Sequence, residues 1–113
     1  MLAFRSRLTK EKDFKKINRL GRPFFSPGFR VKFLANNLKS SRFAIVISTK
    51  VSKKATQRNR TRRQLQEIIR LNQTKVKPGY DIVISVQPQV LGKSYQELEA
   101  KIFAALNKSK LLQ

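Results

Sequence analysis

The chain has 113 residues, which is enough for one domain with a single hydrophobic core, and 40% of them are hydrophobic. Its 26 lysines and arginines against six aspartates and glutamates give a formal net charge of +20, which predicts a folded domain that binds a polyanion, because self-repulsion destabilises so basic a compact state. The chain has no cysteine and no histidine, which excludes disulfides, thiolate and imidazole catalysis and zinc clusters.

The first predicted element is a helix between Thr9, which can cap it, and Gly21, which can end it. Its first turn is acidic, as the positive end of a helix dipole favours. Helical spacing assigns its buried side to Phe14, Ile17 and Leu20. Residues 24–28 contain a proline and a glycine and predict a loop.

Two strands are predicted next. From residue 29 to 33, three apolar residues alternate with Arg30 and Lys32, which is the pattern of a half-buried strand with a basic face. A turn rich in asparagine and serine leads to FAIVIS at residues 43–48. This nearly continuous apolar run is typical of a strand covered on both faces.

A basic helix is predicted over about residues 55–71, and it overlaps the run KVSKKATQRNRTRR at residues 50–63. At about 100° per residue, the helix has two unlike sides. One side collects Asn59, Arg62, Arg63, Gln66 and Arg70, and the opposite side collects Thr61, Leu65, Ile68 and Ile69. One side can therefore pack against a core while the other binds a ligand.

The last two elements are a strand at residues 80–86 and a terminal helix at about residues 94–107. Ser94 and Glu97 form a capping box for that helix, whose apolar positions are Leu98, Ile102, Ala105 and Leu106. The strand-helix-strand order predicts a parallel pair of strands, and the tail after Asn107 is expected to fray. The predicted fold class is α+β, a single domain over residues 1–113 in the order α-β-β-α-β-α, with a mixed sheet packed with three helices.

The charge run has a plainer interpretation as a solvated face. Solvated helical faces normally mix charge signs so that i,i+4 pairs form, whereas no acidic residue occurs between Lys50 and Gln66. Arg58, Asn59 and Arg60 also lie near the start of the helix, where the dipole favours phosphate. Nucleic acid is therefore the favoured polyanion.

The run KVSKKATQRNRTRRQLQE resembles the signature of the protein subunit of bacterial ribonuclease P, an Arg-Asn-Arg triplet preceded by lysine-rich positions and an alanine, here Ala55. The resemblance covers nearly the whole chain, from Arg7 and Leu8 through Phe14 and Gly21 to the closing helix. Two positions depart from the family pattern. They are Thr61, where an aliphatic residue is common, and Gln66, where an arginine is common.

This resemblance implies an RNA-binding protein subunit that assists a catalytic RNA in the endonucleolytic removal of the 5′ leader from precursor tRNA, and that lowers the magnesium requirement. The expected partners are the ribonuclease P catalytic RNA and precursor tRNA, with no protein partner. The protein is expected to carry no catalytic residue and no cofactor. Magnesium is expected in the RNA–protein holoenzyme, metal sites in the protein are left open, and a left-handed strand-helix-strand crossover is implied.

The resemblance also implies two sites. The residues expected to face RNA are Lys50, Lys53, Lys54, Arg58, Asn59, Arg60, Arg62, Arg63 and Arg70. The leader is expected in a cleft between the first helix and the sheet, lined by Phe14, Ile17, Arg30 and Lys32. An aromatic platform beside cations suits the bases and phosphates of a single strand, although plain helix core is the alternative for Phe14 and Ile17.

Two other functions are open to a small basic domain. A small basic ribosomal protein would bind structural RNA without any processing. A protein-only nuclease would need carboxylates that converge on metal ions, whereas the acidic residues are scattered at Glu11, Asp13, Glu67, Asp81, Glu97 and Glu99. The start of the chain lacks the apolar region of a signal peptide, and no stretch reaches the roughly 18 apolar residues of a membrane span, so a cytoplasmic protein without membrane contact is expected.

Overall fold

A computed structural model describes residues 7–113, in which three helices lie against one four-stranded sheet. The elements in chain order are α1 (Glu11–Leu20), β1 (Arg22–Ser26), β2 (Phe29–Ala35), β3 (Arg42–Val46), α2 (Ala55–Leu71), β4 (Tyr80–Val86) and α3 (Tyr95–Lys108), with short 3₁₀ turns at Gln73–Lys75 and Pro88–Val90. The predicted α+β class, with three helices on a mixed sheet, is confirmed.

The sheet has the strand order β1-β2-β4-β3. The β1–β2 and β2–β4 pairs are antiparallel, whereas β3 and β4 run parallel and are connected through α2. The predicted parallel pair is therefore confirmed. The left-handed sense of this crossover remains what the family resemblance implies.

The predicted loop at residues 24–28 is wrong, because β1 occupies most of it and pairs with β2 as a hairpin. Pro27 and Gly28, which led to the loop prediction, instead lie just after the strand at the hairpin turn. The edge strand itself tolerates Pro23, whose missing N–H need not join the ladder. The hairpin turns at Gly28, which has φ +94° and where a Cβ atom would lie 2.4 Å from Cγ1 of Val90. The true element order is α-β-β-β-α-β-α.

The two faces of the sheet are covered unequally. Helices α2 and α3 cover one face over a core that includes Phe29, Leu65, Ile82, Ile84 and Leu98. Helix α1 covers only part of the other face, where Ile17 packs with Leu8 and Val83. No helix of residues 7–113 covers the remainder of that second face.

The strand covered on both faces is β4, where Ile82, Val83 and Ile84 are all buried. The prediction that β3 would be such a strand is wrong, because β3 lies at the edge of the sheet and Val46 is 41% exposed. An apolar run alone does not distinguish a central strand from an edge strand.

The chain ends also differ in part from expectation. The N-cap of α1 is Lys10 rather than Thr9, since residues before the helix are extended and the amide of Leu8 donates to the carbonyl of Phe43 (2.8 Å). The tail does not fray, because Leu111 is buried and its carbonyl accepts from the amide of Lys77 (2.7 Å). The capping box at the start of α3 is confirmed.

Candidate RNA interface

Helix α2 presents its polar side to solvent because its apolar side is fixed in the core. Thr61, Leu65, Ile68 and Ile69 are all buried, as the helical period predicts. The residues of the predicted RNA site lie in the loop before α2 or on the helix itself, where Asn59, Arg60, Arg63 and Arg70 face away from the core. Arg58 is the exception, because it lies seven residues before Leu65 and so on the core side of the first turns. We call these nine residues the α2 surface, and they are Lys50, Lys53, Lys54, Arg58, Asn59, Arg60, Arg62, Arg63 and Arg70.

The loop that leads into α2 is held in place by its own polar contacts. The hydroxyl of Ser52 accepts from the amide of Lys54 (3.2 Å) and donates to Gln57 (2.6 Å), and Arg58 donates to the carbonyl of Ser52 (2.8 Å). No side chain caps the helix and its first turn holds no acidic residue. The free amides and the positive dipole end both favour an anion at this end of the α2 surface.

The residues of the α2 surface are not equally available to bind an anion. Lys50, Lys53, Lys54, Arg60 and Arg63 are exposed and form no ion pair within residues 7–113. Arg62 instead donates to the side chain of Asn59 (2.9 Å). The contiguous cations of the loop and the first half of the helix therefore form the available part of this surface.

Arg70 differs from the other arginines of the α2 surface because it already has an acidic partner. Its Nε lies 3.1 Å from Oε2 of Glu67, and this hydrogen bond lowers the pKa of Glu67 to about 2. Ten residues at 1.5 Å each separate it by about 15 Å from Arg60 along the helix. Arg70 thus lies at the far end of the α2 surface, and its charge is partly compensated by Glu67. The i,i+3 spacing of these two residues already indicated such a pair in the sequence.

The four residues of the predicted leader cleft do not all line one cleft in the structure. Phe14 is half-buried and lines a cleft of about 210 Å³ at the outer edge of β3, together with Val46 and Gln66. Ile17 is only 1% exposed, so for this residue the alternative of helix core holds. Lys32 donates to the carbonyl of Asn18 (2.7 Å), which ties β2 to the last turn of α1.

One row of side chains crosses the second face of the sheet beside the part that α1 covers. Cross-strand pairing places Val46 next to Ser85, Ser85 next to Arg30, and Arg30 next to Phe25. We call these four residues the open row. Three strand spacings give it a length of about 14 Å, and it begins at the Phe14 cleft, which Val46 also lines. Neither Phe25 nor Val46 was predicted from the sequence.

Helix α1 is held on the sheet by a charged cluster as well as by apolar contacts. Arg42 makes two hydrogen bonds to Asp81 (2.8 and 2.7 Å), and a second carboxylate, from Asp13 of α1, lies 3.5 Å from the same guanidinium. Asn36 also donates to Asp81 (2.9 Å). These interactions, above all the hydrogen bonds to Asp81, raise the pKa of Arg42. The contact between Arg42 and Asp13 helps to hold α1, which forms one wall of the cleft.

Residues 2–110 match the sequence model of a family described as Ribonuclease P. The chain belongs to the ribonuclease P protein family. The resemblance seen in the sequence and the protein-subunit role that it implied are thereby confirmed, and the ribosomal alternative is set aside. Partnership with the ribonuclease P RNA follows from this membership.

Named relatives agree with this family. The chain is 40% identical over 91 residues to the ribonuclease P protein component of a Synechocystis species, a match that covers 80% of this chain and 73% of the relative. It is 36% identical to that of a Pseudanabaena species, covering 99% and 97%. The solved ribonuclease P protein of Thermotoga maritima has a TM-score of 0.82 at 30% identity, covering 90% and 98%.

This ribonuclease P protein offers little to a metal ion. Within residues 7–113, no three acidic side chains lie close enough together to hold a metal. Asp13 and Asp81 do approach each other, but both are turned to Arg42. No helix in the described part of the chain is long and apolar enough to cross a membrane.

Proposed function

We propose that this protein assists the catalytic RNA of ribonuclease P in removing the 5′ leader from precursor tRNA, by binding the RNA subunit through the α2 surface and the leader through the Phe14 cleft and the open row. The observation that carries this proposal is the cleft at the edge of β3. Gln66 of α2 and Phe14 of α1 line it together. A single-stranded RNA segment that extends from RNA bound on α2 therefore enters the cleft directly.

The chemistry of cleavage is proposed to reside in the RNA. Magnesium, when bound by that RNA, would supply the charge stabilisation that phosphodiester cleavage requires. The protein supplies position, because it holds the leader, and screening, because its cations lie where two RNA strands approach each other. A lower magnesium requirement follows, since lysine and arginine replace part of the counterion atmosphere.

The decisive assay is cleavage of a labelled precursor tRNA at low magnesium, with a bacterial ribonuclease P RNA alone, the protein alone, and both. We expect efficient cutting at the mature 5′ end only with both components. Raising the magnesium concentration should let the RNA act alone, because more divalent ion compensates for the missing cations. Cutting by the protein alone would make it the nuclease, and a protein without effect would refute the proposal.

Arg60→Ala is expected to weaken binding to the RNA subunit by roughly 1 to 3 kcal/mol, the range for hydrogen bonds to charged groups. Arg60 is exposed and unpaired within the described residues, so its whole charge is available. Filter binding or titration calorimetry at fixed salt measures the change.

Arg70→Ala is the matched control for Arg60→Ala, because it removes the same group from the same helix. Arg70 is already paired with Glu67, so its loss should weaken binding less. Equal losses for the two variants would show that the affinity depends on net charge alone and would contradict the role assigned to Arg60.

A further inference from the structure

Among the large apolar side chains that the structure describes, Phe25 is the most exposed, at 61%, and it lies at the end of the open row. Large aromatic side chains are usually buried, and a fully solvated one gains nothing for stability. The backbone beneath it is nevertheless fixed. β1 is paired with β2, and the ammonium of Lys108 donates to the carbonyl of Phe25 (2.6 Å). The ring is therefore presented from a rigid position.

Arg30 lies over this ring, with its guanidinium carbon 5.7 Å from the ring centroid. That distance is within the range of a cation–π contact. Arg30 has no ion pair within residues 7–113, and its buried Nε has no hydrogen-bond partner. Its charge is thus left without an anion of the protein, directly beside an aromatic ring that remains open to solvent.

We infer that Phe25 and Arg30 form a stacking site for one unpaired base of the leader, with Arg30 facing the adjoining phosphate. Single-stranded nucleic acids are bound in this way, by an aromatic ring for the base and a cation for the backbone. An RNA strand fits better than an apolar partner, because the ring is framed by arginine and lysine and the protein is strongly basic. This inference rests on the proposed function, since it extends the leader path along the open row.

The length of the open row determines how long a leader must be to reach Phe25. The row runs about 14 Å from the Phe14 cleft to Phe25, so a leader that fills only the cleft does not reach the stacking site. The benefit from Phe25 should therefore appear only when the leader exceeds a threshold length. This threshold distinguishes Phe25 from the wall of the cleft.

The test uses the holoenzyme, reconstituted with a bacterial ribonuclease P RNA, and precursor tRNAs whose leaders are lengthened one nucleotide at a time from zero. Phe25→Ala is compared with Phe25→Tyr, which keeps the ring, and with Leu38→Ala, which removes another exposed apolar side chain (50%) from the turn after β2. In a second series, 2-aminopurine replaces one leader base at a time, because its fluorescence falls when the base stacks.

We expect Phe25→Ala to weaken binding of long-leader substrates about tenfold, to leave short-leader and leaderless substrates unchanged, and to restore the fluorescence of one leader base. Phe25→Tyr and Leu38→Ala should behave like the wild type, and all variants should melt alike. The inference is overturned if the quenched base stays quenched in Phe25→Ala, or if leaderless tRNA loses as much affinity. If the wild type itself gains nothing from any leader, the proposed function fails first.

Discussion

Ile69→Ala is expected to lower the free energy of unfolding by about 2 to 5 kcal/mol, as for other buried aliphatic side chains truncated to alanine. Ile69 lies on the buried side of α2 and is part of the main core, so the change removes apolar contacts and leaves a cavity. Denaturant unfolding followed by circular dichroism measures the effect. A marginally stable domain of this size would lose much of its stability.

Leu71→Ala is the control, because Leu71 is on the same helix but 58% exposed. It should change the free energy of unfolding by only a few tenths of a kcal/mol. At low temperature, where Ile69→Ala is still folded, its affinity for the RNA subunit should match the wild type, since Ile69 is buried in the core and is not part of the α2 surface. Equal melting of the two variants would show that the assigned packing side of α2 is wrong.

The packing side of α2 was predictable because it depends on local information. The 3.6-residue period assigns Thr61, Leu65, Ile68 and Ile69 to one side whatever the rest of the chain does, and the structure buries all four. The capping box of Ser94 and Glu97 is equally local. Both features need only residues a few positions apart.

The open row could not be predicted in the same way, because it depends on pairing across the sheet. Val46 and Ser85 are far apart in sequence and become neighbours only when β3 pairs with β4. Phe25 was hidden by the prolines on either side of it, which favour a loop in a local analysis. The exposure of Val46 follows from the edge position of β3, and no pattern within the strand specifies that position.

Asp81→Asn is expected to lower the free energy of unfolding by about 1.5 to 3 kcal/mol, the range for hydrogen bonds to charged groups, because Asp81 is buried and Arg42 is partly buried. Arg42 would lose the carboxylate that accepts two of its hydrogen bonds and would keep only Asp13, at 3.5 Å. Glu11→Gln is the control, because it breaks the exposed pair with Lys15 and should cost under about 1 kcal/mol. Similar losses for the two variants would contradict a buried network.

The double variant Arg42→Met with Asp81→Leu distinguishes the contribution of this pair to stability from its contribution to the placement of α1. Apolar replacement of both partners leaves no unpaired guanidinium beside the sheet, so part of the lost stability should return. Asp13 would then have no guanidinium to hold it, and α1 would rest on the sheet through apolar contacts alone. We therefore expect this variant to fold well and yet gain less from a leader, because one wall of the cleft is no longer fixed. A full leader-dependent gain would show that apolar packing alone positions α1.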